Sequence, residues 1–235
     1  MLQAPAPAGG GAPGPPGMVR ACARAALRGR ACRATGGAVP APRLVLFARF
    51  PTPGHAKTRL VPALGADGAA ALHRRLAEAT LAVLHEAAAA TGTAVEVRAT
   101  GAPPAAFHDW LGAVRVVEQG AGDLGARLAR AAAPQPVLFF GCDAPDLGVA
   151  HVRAALDALE RAPIVIGPAE DGGYWCLGLA RPAPWVFEAM PWGTDALLGA
   201  TLAACARHEV TPALLAPLAD CDRPEDLARW PWLAA

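Results

Sequence analysis

Asp143 closes an apolar run, PVLFFGCD (136–143), and is followed by Pro145 and Asp146 in the loop GCDAPDL (141–147). A carboxylate emerging from the end of a buried strand suits a hard divalent cation such as Mg2+ or Mn2+, which takes oxygen ligands. Asp146 fits a plainer role, capping the helix that follows, whereas Asp143 comes too early for that. Near the C-terminus, ADCDRPEDLARW (219–230) sets Asp220 and Asp222 around Cys221. Asp222 either caps the helix opened by PEDL, with Pro near its first turn, or completes a metal site with Asp143.

A basic loop balances these acids. FARFPTPGHAKTRL (47–60) follows the first apolar run and carries Arg49, Gly54, Lys57, Thr58 and Arg59. A Walker A loop requires Gly-x4-Gly-Lys-Ser/Thr, and here Ala56 precedes the lysine and Pro51 stands where the first glycine belongs. What remains is a cationic lip suited to a phosphate chain. Lys57 is the only lysine in the chain, which strengthens that reading over a merely solvated loop.

Two further loops carry polar residues. In GPAEDGGYWCLGL (167–179), Glu170 and Asp171 precede Gly172 and Gly173. That glycine pair either lets backbone approach a ligand or makes an Asp-Gly turn. Tyr174 and Trp175 offer rings on which a sugar or base can stack. QGAGDLGARL (119–128) is a glycine-rich strand-to-helix turn whose amides, at Gly122 and Asp123, can touch a nucleotide.

These loops need a scaffold that presents them together. Strand signals fall at 44–50, 93–100, 113–119, 136–143, 163–169, 173–180 and near 210–216. Helical spacing marks 65–90, with Asp67 as N-cap, then 104–111, 123–133, 148–162, 184–190, 195–208 and 224–230. Strands alternating with helices predict a three-layer α/β/α domain around a mostly parallel mixed sheet. Ligands of such sheets bind beyond the carboxyl ends of the strands, where the polar loops lie. The tryptophans at 230 and 232 are expected to pack the last helix onto the sheet.

Composition narrows the chemistry. The 235 residues contain no serine and no asparagine, which excludes a Ser-His-Asp hydrolase and an N-glycosylation site. Residues 1–43 hold six arginines and no acid, for +6; the rest holds fifteen basic and twenty acidic residues, for −5. An acidic core suits a bound cation and argues against a nucleic-acid partner. The first 42 residues, rich in Pro, Gly, Ala and Arg, read as a disordered tail, and 43–235 as the domain. The six cysteines show no CxxC pair, as expected of reduced, mostly buried thiols in a cytoplasmic protein. The six histidines lack ligand spacing and are expected mostly at the surface. No apolar run of about 18 residues suggests a membrane span, and the N-terminus lacks the apolar stretch of a signal peptide.

Taken in order, ARFPTPGHAKTRL, QGAGDLGARL, GCDAPDL, GPAEDGGYWCLGL, Trp192-Gly193-Thr194 and DCDRPEDL resemble one bacterial family. It is the radical-SAM/selenodomain-associated transferases, also known as arsenosugar-biosynthesis glycosyltransferases, of the nucleotide-diphospho-sugar transferase superfamily. The resemblance covers about residues 43–232 and implies a GT-A-like, Rossmann-related fold. It also implies that Asp143 resembles the metal-binding acid of a DxD-type position and that Asp222 helps hold the metal. Lys57 and Arg59 match a signature that meets a triphosphate in related nucleotidyltransferases. Two departures stand out: Asp-x-x-Asp replaces a strict DxD, and Arg223 replaces the usual threonine of the ending.

The expected function is therefore metal-dependent transfer from a nucleotide diphospho-sugar to a small-molecule acceptor. Mg2+ or Mn2+ would sit on Asp143 and Asp222, and Lys57 and Arg59 would stabilise developing charge. Asp171 or Glu170 would grip sugar hydroxyls or act as base. The alternatives are a nucleotidyltransferase that joins a nucleoside triphosphate to a phosphorylated acceptor, and a non-catalytic nucleotide-binding module.

Overall fold

The computed structural model describes residues 40–233. The expected tail lies outside the described residues except for 40–42, and Cys22 and Cys32 lie outside them altogether. Seven strands form one sheet in the order β3-β2-β1-β4-β6-β5-β7. They are β1 (Arg43–Arg49), β2 (Ala94–Thr100), β3 (Arg115–Glu118), β4 (Val137–Phe140), β5 (Ile164–Pro168), β6 (Tyr174–Leu179) and β7 (Ala213–Leu214). β1 runs parallel to β2 and β4, β2 to β3, and β5 to β7. β6 alone runs antiparallel, against both β4 and β5.

Alternation along β1 sorts the two faces. Leu44, Leu46 and Ala48 enter a core shared with α1 (Val61–Thr91), α2 (Pro104–Leu111) and α4 (Val149–Leu159). Val45 enters the opposite core, with Leu128 of α3 (Leu124–Ala131), Phe187 of the 3-10 turn Pro184–Phe187, and Cys205 of α5 (Leu197–Arg207). Helices cover both faces of a mixed, mostly parallel sheet, which is the α/β/α architecture expected. Burying a leucine such as Leu44 or Leu46 fully contributes about 1.5–3 kcal/mol.

Several local expectations need correction. α1 starts at Val61, with Pro62 in its first turn, and Gly65 (φ 72°, ψ 170°) breaks its helical run, so Asp67 lies inside the helix rather than capping it. The helices expected at 184–190 and 224–230 are 3-10 turns, Pro184–Phe187 and Pro224–Arg229, and the last strand shrinks to two residues. Trp232 is more than half exposed. Trp230 is buried against Leu60, Leu72, Leu76 and Cys221 rather than on the sheet. The histidines lie mostly at the surface, as expected, with His73 of α1 the buried exception. No helix among the described residues is long and apolar enough to cross a membrane.

Polar groups also enter the interior at the edge of the sheet. Glu96 of β2, 3% exposed, meets Arg98 at 2.5 Å, Arg115 at 2.9 Å and Arg43 at 3.5 Å. Burial, opposed by Glu96, lowers the Arg43 pKa. The cluster sits toward the amino-terminal ends of β1 and β2, away from the polar loops.

Candidate functional site

The carboxyl ends of β1, β2, β3, β4 and β5 all emerge on one side, joined there by the amino end of the reversed β6. A cleft of about 450 Å³ opens above them. That is within the usual range for a small-molecule site. β1 and β4 are adjacent, yet the chain leaves them for opposite halves of the sheet, so the cleft stands over the switch point.

The loop after β1 delivers Lys57. Its backbone is left-handed (φ 47°, ψ 47°), a conformation that costs a non-glycine residue about 1–2 kcal/mol. A 3-10 turn, Thr58–Leu60, follows at once, and Leu60 N–H donates to the Lys57 carbonyl at 2.8 Å. The side chain turns inward and is 4% exposed. Its ammonium lies 2.5 Å from Asp143 Oδ1, 2.6 Å from Asp222 Oδ1 and 2.7 Å from the Cys221 carbonyl oxygen. Burial pulls the Lys57 pKa down, but the two carboxylates outweigh it and hold it above the ordinary lysine value. In return Lys57 overcomes the effect of burial on Asp143 and keeps that carboxyl below its ordinary range.

Backbone bonds brace this triad. Cys221 N–H donates to the Asp143 carbonyl at 2.8 Å, stitching the two acidic loops together. Asp226 Oδ2 accepts from the backbone of Asp222 at 2.9 Å and of Arg223 at 2.7 Å, so Asp226 rather than Asp222 closes the start of the last turn. Trp230 Nε1 donates to Asp146 Oδ1 at 3.0 Å, so Asp146 receives an indole. Gly148 takes the N-cap place expected for an acid, and its N–H donates to His151 Nδ1 at 3.0 Å.

A second acidic group adjoins the triad. Oxygens of Asp171, Asp220 and Asp222 lie within 4.8 Å of one another. Burial, then repulsion from Asp171 and from Asp222 and Asp226, pushes the Asp220 pKa up to about 6. An all-oxygen set whose members repel one another fits a hard divalent cation. Asp171 is fixed by a bond from Gly173 N–H at 2.8 Å, so the Asp-Gly stretch is a turn that also presents an acid.

The expected contacts divide. Arg49, Asp143, Asp171, Gly173, Tyr174 and Asp222 line the cleft, and Lys57 is bonded to two of these acids. Arg59 is exposed, 3.6 Å from Asp222 Oδ2, outside the lining, as are Gly54 and Thr58. Gly122 gives its carbonyl to Arg127 Nε at 2.8 Å, and Asp123 caps α3 through Ala126 N–H at 2.8 Å. Glu170 points to Arg229, with contacts of 2.6 and 3.3 Å. Gly172 (φ 86°) is pressed against the Asp195 backbone, where a Cβ would collide, so its close approach serves the loop 192–195. The Tyr174 ring lines the cleft edge-on to Trp192, and burial raises the pKa of its hydroxyl.

The cleft also recruits residues that the motifs leave in the background. Asp220 was visible as the partner of Asp222 in the acidic pair. Gln119 and Arg127 lie inside the glycine-rich segment, yet only the fold turns them to the cleft. His73 gave no signal, being one histidine on a long helix; its Nε2 lies 2.9 Å from the Arg49 carbonyl oxygen.

Comparisons with known proteins bear on the family and the fold. A family model described as an uncharacterized protein conserved in bacteria (DUF2064) matches residues 62–194. A search of curated proteins found no match. Among solved structures, one from Desulfovibrio desulfuricans, described as a candidate nucleotide-diphospho-sugar transferase, is 28% identical with a TM-score of 0.70, covering 77% of this chain and 82% of that one. A 4-diphosphocytidyl-2C-methyl-D-erythritol synthase from Anaerococcus prevotii is 11% identical with a TM-score of 0.52, covering 80% and 93%. The bifunctional IspDF from Campylobacter jejuni is 10% identical with a TM-score of 0.52, covering 81% and 54%. The last two likenesses are of fold.

Proposed function

The chain belongs to the DUF2064 family, and from that premise we propose that it is a metal-dependent glycosyltransferase that takes a nucleotide diphospho-sugar as donor. The observation that carries this reading is the buried Lys57 ammonium set among Asp143, Asp222 and the adjoining Asp171 and Asp220 at the carboxyl edge of the sheet. Such a site pairs cationic and anionic groups where a diphosphate and a cation would meet. The 28%-identical structure described as a candidate nucleotide-diphospho-sugar transferase supports the donor class.

Asp143 and Asp222 would hold Mg2+ or Mn2+, with Asp220 and Asp171 converging on Asp222. When bound, the cation supplies Lewis-acid neutralisation of the diphosphate. Lys57, with Arg59 farther out, adds positive charge where negative charge develops on the departing nucleoside diphosphate. Asp171 is the candidate to take the proton of the acceptor hydroxyl as the acceptor oxygen bonds to the anomeric carbon and the sugar–phosphate bond breaks. Arg49 at the end of β1 offers a further contact to phosphate.

A nucleotidyltransferase reading shares the basic loop and the acids and differs in the bond broken. The test is a product assay with Mn2+ or Mg2+, offering pooled nucleotide diphospho-sugars in one reaction and nucleoside triphosphates with sugar phosphates in another. Release of nucleoside diphosphate in the first is expected, and Asp143→Ala is expected to abolish it while leaving the melting curve of a folded protein. Pyrophosphate release in the second alone would replace the proposal with nucleotidyl transfer. Bound nucleotide with no turnover in either would leave a binding module.

A further inference from the structure

Three N–H bonds of one ammonium are matched by three oxygens in the cleft wall. Lys57 Nζ meets Asp143 Oδ1 at 2.5 Å, Asp222 Oδ1 at 2.6 Å and the Cys221 carbonyl at 2.7 Å, with no acceptor capacity of its own. This is the kind of oxygen set that a hard cation takes, and two of the three are the carboxylates assigned above to the metal. The contact is not an accident of a mobile surface chain, because Lys57 is 4% exposed and its left-handed backbone turns the side chain inward. Four acids crowd this wall: Asp143, Asp171, Asp220 and Asp222. Lys57 makes the close charge contact to two of them.

We infer that Lys57 is a resident surrogate for the divalent cation, competing with it for Asp143 and Asp222 and released to the substrate's phosphates when the cation enters. The inference rests on the reading that this cleft takes a nucleotide diphosphate together with a metal. Its consequence is a coupling. The cation alone must displace an ammonium, whereas cation and phosphate together give every charged group a partner. Each ligand therefore favours binding of the other, reciprocally and by the same factor.

Lys57 is the sole lysine of the chain, so an amine reagent reports on one side chain beside the N-terminal amine. Acetylation by an N-hydroxysuccinimide ester, located by peptide mass mapping, is expected to be slow at Lys57 in the cation-free protein. Mn2+ alone should speed it several-fold, and Mn2+ with inorganic pyrophosphate should slow it again. In parallel, Mn2+ affinity is read from the loss of the free-ion paramagnetic resonance signal. Lys57→Met should bind Mn2+ roughly tenfold more tightly than the unaltered protein, and pyrophosphate, against protein-free controls at the same concentration, should tighten Mn2+ binding less in it than in the unaltered protein. The labelling arm uses the unaltered protein and stands even where the variant fails to fold.

Mn2+ that binds without changing Lys57 acetylation would overturn the inference, as would a protein that binds no Mn2+. Failure of nucleoside diphosphates to bind, with the Mn2+ and pyrophosphate effects intact, would instead remove the proposed function and leave the exchange at Lys57 standing.

Discussion

His73 shows how a single side chain couples the scaffold to the site. It is buried in α1, and its Nε2 sits 2.9 Å from the carbonyl of Arg49, the residue that ends β1 at the cleft. A neutral ring with its proton on Nε2 satisfies that carbonyl. Burial is the main reason that the His73 pKa falls below the ordinary 6.5. The folded state therefore takes up this proton less readily than the unfolded chain. The associated stability is full above the ordinary histidine value and is lost as pH falls through the depressed folded value. Denaturant midpoints at about pH 7.5 and about pH 5.5 should differ more in the unaltered protein than in His73→Gln. Equal differences would show that His73 does not carry this dependence. His73 was not legible beforehand, because a histidine on a helix declares neither its burial nor the strand end that it meets.

At the scale of elements, alternation and loop chemistry were readable where apolar residues decided the outcome. Strand β4 is buried along its whole length, and the sequence PVLFF marks it clearly. The order of the strands and helices was legible, so the polar loops could be set at strand ends, although several bounds shift by two or three residues and two of the helices are 3-10 turns. Strand β2 shows the limit. Alternation in AVEVRAT points Glu96 and Arg98 to one face without showing what meets them there, and both are buried in the Arg-Glu cluster. Only tertiary placement of β1 and β3, which bring Arg43 and Arg115, reveals it. Glu96→Leu removes the one acid shared by three arginines and strands Arg98 in a buried position. The expected loss is about 3–5 kcal/mol in urea unfolding. Ligand binding in the surviving folded fraction should persist, since the cluster lies at the far ends of the strands. A change below about 1 kcal/mol would mean that the arginines find other partners. The loop closures were equally hidden: the Asp226 bonds to 222 and 223, and the Trp230 bond to Asp146, join residues by geometry that spacing does not encode.

Over the whole molecule, the excess of acid beyond residue 43 is not spread evenly in its effect. Four aspartates from three separate loops, after β4, between β5 and β6, and after β7, reach one wall of the cleft. Their sequence separations span almost eighty residues, so the acids were visible one by one while their convergence was not. Asp143 and Asp222 were paired by motif; Asp171 and Asp220 join them only once β5, β6 and β7 are side by side. Lys57 sets a positive charge against two of these four acids, Asp143 and Asp222. The most direct measurement is calorimetric titration of a panel of nucleoside diphosphates into the unaltered protein and Asp222→Asn, each with and without Mn2+. At least one nucleotide should bind the unaltered protein in a Mn2+-dependent manner, and Asp222→Asn should lose the Mn2+ dependence. Absence of nucleotide binding, or binding indifferent to Mn2+ in both proteins, would contradict the account.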